Sequence, residues 1–168
     1  MDELLDLVNE NDEVVGEVLK SKANSDPKLI HREVVVYIFD EKLRFLVQQR
    51  SWNKKVYPGI WAESAAGHVG KGEDIEVAAH RELQEEMGFD VPLKFIQKRL
   101  NKFENETHFS YCYLGKYTGE KISFQKEEIE QVKFVTEEEF SALYPERDKV
   151  IDEAISWIKE IWKRVGSS

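Results

Sequence analysis

Glu82, Glu85 and Glu86 stand three and four residues apart in the segment Arg81-Glu-Leu-Gln-Glu-Glu-Met-Gly88. On a helix that spacing sets three carboxylates side by side on one face. Carboxylates so close repel one another, and with nothing bound they destabilise the helix or raise some of their own pKa values. A hard divalent cation removes the conflict, because Mg²⁺ and Mn²⁺ prefer oxygen ligands and share them with substrate phosphates. Such an ion draws charge from phosphorus oxygens and activates a water, so the chemistry these residues suit is attack on a diphosphate. An acidic face that served only solubility would mix its signs, yet no lysine follows four residues after any of the three.

The flanking residues fit the same chemistry. Gly67 lets backbone come close to a metal or phosphate, and Gly88 suits the left-handed position that ends a helix. Arg81 is expected to point away from the carboxylate face and pair with Glu73, holding the loop against the helix. Together, Gly67-His-Val-Gly-Lys-Gly-Glu73 and Arg81 to Phe89 resemble the Nudix box, G-x5-E-x7-R-E-U-x-E-E-x-G-U with U apolar. Every fixed position is filled, Leu83 takes the first U and Phe89 the last, where an aliphatic residue is more usual. A chance match is on the order of one in 10⁸ per start position. The resemblance implies an α/β (α+β) fold, an α/β/α sandwich around a central mixed β-sheet. It also implies metal-dependent cleavage of a nucleoside diphosphate linked to another moiety. On this chain Glu82, Glu85 and Glu86 would be the metal ligands, assisted by the Gly67 carbonyl, with Mg²⁺ or Mn²⁺ as cofactor, and Glu73 and Arg81 the structural pair.

A second resemblance lies outside the box. Trp52-Asn-Lys-Lys-Val-Tyr-Pro-Gly-Ile-Trp61, then Ser64 and Gly67-His68, is similar to isopentenyl diphosphate isomerases, which share this fold. His31 and Glu104-Asn-Glu106 stand at isomerase metal-site positions. The comparison implies that Arg50 and one of Lys54 and Lys55 bind the diphosphate, as cations facing a metal helix would. Two residues break the pattern. Ala66 stands where isomerases carry a catalytic cysteine just before the Gly-His pair, and it can neither donate nor accept a proton. Asn24 stands where a first metal-ligand histidine is expected. Loss of a proton-transferring group removes a factor of about 10²–10⁴ in rate. The reading is therefore a hydrolase, with an isomerase-like enzyme and a non-catalytic nucleotide sensor as alternatives.

The remaining elements must hold these residues. Leu4–Val8 and Val14–Leu19 flank an Asn/Asp turn and predict a hairpin (about 4–19). Residues 34–39 predict a buried strand, and 44–49 the next strand, paired with it. A loop from Ser51 to Ile60 carries the cations. The box helix runs from an Asp74 N-cap to Met87 with Ala79, Leu83 and Met87 facing the core. Residues 95–103, 109–117 and 132–135 predict strands, with a turn at Thr118–Glu120. Thr136 and Glu139 form a capping box before Phe140 and Leu143. A final amphipathic helix (about 148–165) presents Ile151, Ile155, Ile158, Trp162 and Val165, read as packing on the sheet.

Composition bounds the rest. With 168 residues, 41% of them hydrophobic, the chain is expected to form a single domain over 1–168. A net charge of -9 argues against binding a nucleic acid polymer or an acidic membrane, but not against a small phosphorylated substrate met by local cations. One cysteine, Cys112, excludes an intrachain disulfide and fits a reducing, cytoplasmic compartment. The first residues lack a secretion-signal pattern, and no apolar run approaches a membrane span. A homodimer stays open. His68 is read evenly as a substrate or metal contact and as a loop histidine, His31 as structural, and His80 as packing or surface. Trp52, Tyr57 and Trp61 are read as core-filling in preference to stacking on a base. For the general base the choice is Glu128, from a set with Glu106, Glu127 and the box glutamates.

Overall fold

The computed structural model describes residues 1–55, 57–144 and 149–167, leaving aside the side chains of 149, 150, 151 and 153. Among the described residues nine strands and four helices follow in the order β1(Leu4–Val8), β2(Val14–Leu19), α1(Lys20–Ala23), β3(His31–Phe39), β4(Phe45–Arg50), β5(Trp61–Ala62), β6(Ala65–His68), α2(Ile75–Met87), β7(Leu93–Lys102), β8(Thr107–Lys116), β9(Ile129–Val135), α3(Glu137–Ala142) and α4(Lys149–Gly166). β1 and β2 make the expected antiparallel hairpin, and the other seven strands form one mixed sheet.

β3 runs through the middle of that sheet, and its alternation explains the two layers around it. Val34, Val36 and Ile38 face the first core, where Ala78, Ala79, Leu83 and Met87 of α2 are buried. Val35, Tyr37 and Phe39 face the second, where Phe140 of α3 and Ile155, Ile158, Ile161 and Trp162 of α4 are buried. A two-residue period thus places α2 on one face and α3 with α4 on the other, the expected α/β/α sandwich. The expected start of the last helix at 148 and the Ile151 side chain lie outside what is described.

One pairing departs from expectation. β3 and β4 meet only at Phe39↔Phe45, beside a turn in which Asp40 Oδ1 accepts from the Lys42 and Arg44 backbone N–H groups at 2.9 Å. Beyond the turn the strands part. Ser64, fully buried, fills the gap: its Oγ accepts from the Ile38 N–H at 2.9 Å and donates to the Leu46 carbonyl at 2.6 Å. A buried backbone group left unpaired is costly, so one hydroxyl serving both strands makes the split tenable. β3 pairs instead with β6 (antiparallel) and β8 (parallel), and β4 with β9 and β5. The split brings β6, with Gly67 and His68, into the sheet directly in front of α2.

Local sequence sets the helix that matters most. Asp74 Oδ1 accepts from the Glu76 and Val77 N–H groups at 2.9 and 3.1 Å, and Gly88 ends α2 at φ +74°. A side chain at 88 would strain that backbone and meet the Ser123 carbonyl oxygen at 2.5 Å. Thr136 and Glu139 form the capping box at α3. A short helix, α1, follows β2 directly and ends at Asn24.

The second core centres on Phe45, which is fully buried against Phe39, Phe140 and Trp162 with ring centroids 5.2, 5.8 and 5.6 Å away. Phe45→Ala is expected to cost about 3–5 kcal/mol of stability, read from urea unfolding with the native far-UV signal kept.

Candidate active site

The loop from Gly67 to Asp74 and the helix α2 are locked by one arginine. Arg81 Nε and Nη2 donate to the two Glu73 oxygens at 2.8 and 2.9 Å, and Nη2 also donates to the His68 carbonyl at 3.0 Å. Glu73 Oε2 accepts from the Gly70 N–H at 2.8 Å, which closes the loop on itself. A bidentate pair of this kind is directional as well as strong. The Arg81 hydrogen bond holds the Glu73 carboxyl below its ordinary pKa. The structural pair is therefore in place, but Arg81 does not point away from the carboxylates. Its Nη1 donates to Glu82 Oε1 at 2.6 Å and lies 3.4 Å from Glu85 Oε2, because an arginine is long enough to reach its i+1 and i+4 neighbours while gripping Glu73.

The three glutamates stand in different surroundings. Glu85 is exposed on the helix surface. Glu82 lies against the Gly67 backbone so closely that a Cβ at 67 would meet its carboxylate carbon and oxygen at 2.1 Å. Glu86 reaches back into the sheet split, where Oε2 accepts from Gln48 Nε2 at 2.6 Å and from the Ala66 N–H at 3.3 Å. Gln48 Nε2 also lies 3.2 Å from the Ser64 carbonyl. Burial pushes both carboxyls up, Glu86 to about 7, with Glu82 adding repulsion. A glycine cradle under one carboxylate and a second carboxylate held only by neutral donors suit a divalent cation with oxygen ligands. The donor set fits Mg²⁺ or Mn²⁺.

The phosphate-binding candidates come together at one edge. Ser51 N–H donates to the Glu128 carbonyl at 3.0 Å, and Lys54 Nζ pairs with the Glu128 carboxylate. Arg50 ends β4 beside them, opposite Ile129 of β9, and Lys55 is exposed on the same loop. Trp52 and Tyr57 do not fill the core: both are exposed, the Trp52 ring lying so close to Gly59 that a Cβ there would meet it at 2.3 Å. The loop is too short and polar to bury them, whereas Trp61 is partly buried with the Lys133 ammonium 4.4 Å above its ring. Glu63, which the sequence reading passed over, is pushed up by burial and by Glu33.

His68 turns its ring from the helix. Nε2 lies 3.0 Å from Asn24 Oδ1 and 3.4 Å from Glu33 Oε1, and the ring stacks on His31 at 5.1 Å. His80 makes a 2.5 Å contact with Asp90 near the surface. Sequence reasoning missed Glu33 and His108, which join His31 and Glu106 in a cluster whose donor atoms lie within 4.8 Å of one another. The signal was there: His31-x-Glu33 and Glu106-x-His108 repeat at the period of a strand. Burial lowers the His68 pKa to about 4 and that of His108 below its ordinary value, while Glu106 is raised by burial and by Glu33.

Ala66 leaves no proton-transferring group before Gly67. Cys112 lies in the same cross-strand row as Val35 and Ala66, but two strands away. It is buried, and burial pushes its thiol up to about 12.

The NUDIX domain family profile matches residues 29–158, most of the chain. The chain belongs to the Nudix family. That places it among enzymes whose hydrolases act on phosphoanhydride bonds. A Nudix hydrolase of Listeria monocytogenes, itself uncharacterized, is 36% identical over 139 residues, 82% of each chain. An isopentenyl-diphosphate Delta-isomerase of Photorhabdus laumondii is 33% identical over 168 residues, 96% of this chain and 91% of its own. A Deinococcus radiodurans crystal structure superposes with a TM-score of 0.72 at 26% identity, over 83% of this Nudix chain and 87% of that one. Among the described residues no helix is long and apolar enough to cross a membrane.

The raised Glu86 pKa makes metal-free stability pH-dependent. Between about 4.5 and 7 the native state holds a proton that the unfolded chain has released. Stability from this group is thus present at low pH and lost as pH rises towards 7, with a slope of up to about 1.4 kcal/mol per pH unit. Denaturant unfolding in chelator at pH 5 and pH 8 is expected to show this loss in the wild type and a smaller one in Glu86→Gln.

Proposed function

We propose that this Nudix chain is a Mg²⁺- or Mn²⁺-dependent pyrophosphohydrolase, a single domain acting on a nucleoside diphosphate linked to another moiety or a related small phosphorylated substrate. The observation that carries the reading is the glutamate set of α2, with Glu82 on the Gly67 cradle and Glu86 in the sheet split. Glu82, Glu85, Glu86 and the Gly67 carbonyl would hold the ion. When bound, it neutralises phosphate oxygens and lowers the pKa of water. Glu73 and Arg81 keep the ligands at their spacing. Arg50, Lys54 and Lys55 grip phosphate oxygens and orient the chain of phosphates for in-line attack. A water forms the new P–O bond, the bridging P–O bond breaks, and the leaving phosphate keeps the electron pair. Glu128, beside Lys54, takes the water's proton. A cytoplasmic setting and a homodimer are compatible with this reading.

The Photorhabdus relative favours a second reading, interconversion of isopentenyl and dimethylallyl diphosphate. That reaction moves a proton on and off carbon, and the chain has Ala66 where the isomerase-like pattern calls for a thiol. A lack of solvent deuterium in recovered isoprenoid would dismiss it.

The test is a panel of nucleoside di- and triphosphates, ADP-ribose, dinucleotides and isopentenyl diphosphate with Mg²⁺, read by mass. Cleavage at a phosphoanhydride is expected, with kcat lowered about 10²-fold or more in Glu85→Gln and also reduced in Glu128→Gln. Near-normal turnover by Glu85→Gln would remove the box glutamates from the mechanism. Wild-type turnover by Glu128→Gln would move the base elsewhere.

A further inference from the structure

The β1–β2 hairpin precedes the residues that match the family profile, and no step of the proposed reaction uses it. A two-stranded hairpin alone is marginal in water. This one forms a sheet of its own, and its second strand leaves Val14 and Val15 exposed. It is held in place from two ends.

One end is Asp12, in the hairpin turn. Its backbone is left-handed at φ +65°, a conformation that Asp accepts and most side chains resist. Its carboxylate is 4% exposed. It accepts from Arg32 Nε of β3 at 2.7 Å, from Lys98 Nζ of β7 at 2.8 Å and from the Tyr111 hydroxyl of β8. Arg32 Nη2 also donates to the Asp12 carbonyl at 2.6 Å. A turn needs none of these contacts, and withdrawing a carboxylate from water is costly unless charged donors meet it. Three strands of the central sheet thus grip one residue of the hairpin.

The other end is the box loop. Leu5, fully buried, forms a bridge with Gly70, and the Leu4 carbonyl accepts from the Lys71 N–H at 2.8 Å. Asp6 Oδ2 accepts from the Gly72 N–H at 3.2 Å, and Glu17 pairs with the Lys71 ammonium. Arg32 joins the two ends. Its Nη1 lies 3.9 Å from Asp6 Oδ2, and its carbonyl accepts from the Val69 N–H at 3.0 Å. The Glu73–Arg81 pair fixes the end of this loop, and the hairpin fixes its middle.

We propose that the hairpin is a clamp on the box loop, with Asp12 and Asp6 as positioning residues that hold Gly67 and Glu73 at the spacing the metal site needs. The effect on the ion rests on the metal reading above, whereas the clamp itself does not.

The test compares Asp12→Asn, which suits the same backbone conformation without the charge, with Asp6→Ala, which removes the Gly72 acceptor. Amide hydrogen exchange is followed at Lys71 and Gly72, whose N–H groups donate to the hairpin, and at Gly70, whose N–H donates to Glu73. Exchange at Lys71 and Gly72 is expected to quicken about 10-fold in both variants, with Gly70 little changed. Mn²⁺ binding is followed by EPR without substrate, taking the component that Glu82→Gln/Glu86→Gln abolishes. Its affinity is expected to fall roughly 10-fold, as on loss of an outer partner of a metal ligand. Phe45→Ala, destabilised in the second core, is expected to leave both readouts near wild type, which separates clamping from loss of stability alone. Unchanged exchange at Lys71 and Gly72 in either folded variant, or faster exchange with undiminished Mn²⁺ affinity, would overturn the proposal. A wild type that binds no Mn²⁺ would instead refute the metal reading, and the exchange result would then decide the clamp.

Discussion

Four carboxylates crowd the loop and helix at the front of this sheet, and one guanidinium is hydrogen-bonded into three of them. Arg81 reaches Glu73, Glu82 and Glu85, while Glu86 leans on neutral donors from Gln48 and Ala66. The surplus of negative charge is part of the fold, because Gly67 and the β3–β4 split draw two of the glutamates into partial burial. The protein tolerates this through the strength of its surroundings. α2 is capped at both ends, its apolar stripe is buried, and the bidentate Glu73–Arg81 pair fixes the loop. In the proposed reading a divalent cation would complete the site, and this need for charge would link the architecture to chemistry on phosphates.

The split in the sheet explains how side chains from distant segments share this place. Ser64 satisfies both parted strands and sits in the same short run as Ala66, Gly67 and His68. β6 therefore has two working faces. Gly67 backs onto Glu82 on the α2 side, and the His68 ring stacks on His31 on the other. Two charged clusters of different donor chemistry, oxygen-rich in front and imidazole-rich behind, are separated by one strand layer.

Much of this was readable in the sequence where the cause is local. The Asp74 cap, the Gly88 terminus, the Thr136–Glu139 box and the β1–β2 hairpin all depend on residues within a few positions of one another. The Glu73–Arg81 pair was readable too. What the sequence hid depends on contacts far along the chain. Residues 34–39 and 44–49 read as partners because they are adjacent and both apolar, yet Ser64 intrudes and β3 turns to β6 and β8. Arg81 was expected to face one way, but its length lets it serve both Glu73 and the helix. Trp52 and Tyr57 read as core by type, although their loop lies outside both cores. Glu33 and His108 acquire meaning only when β3 and β8 are set side by side, 75 positions apart.

The claim that the α2 carboxylates await a divalent cation can be tested most directly through stability rather than turnover. Chemical unfolding of the wild type and of Glu82→Gln/Glu86→Gln would be followed as Mg²⁺ is raised, with no substrate present. An ion that binds only the native state stabilises it by about 2.7 kcal/mol at one hundred times its Kd. The account predicts a progressive gain of this kind in the wild type and little or none in the variant. Equal gains in both proteins, or no gain in the wild type, would contradict it.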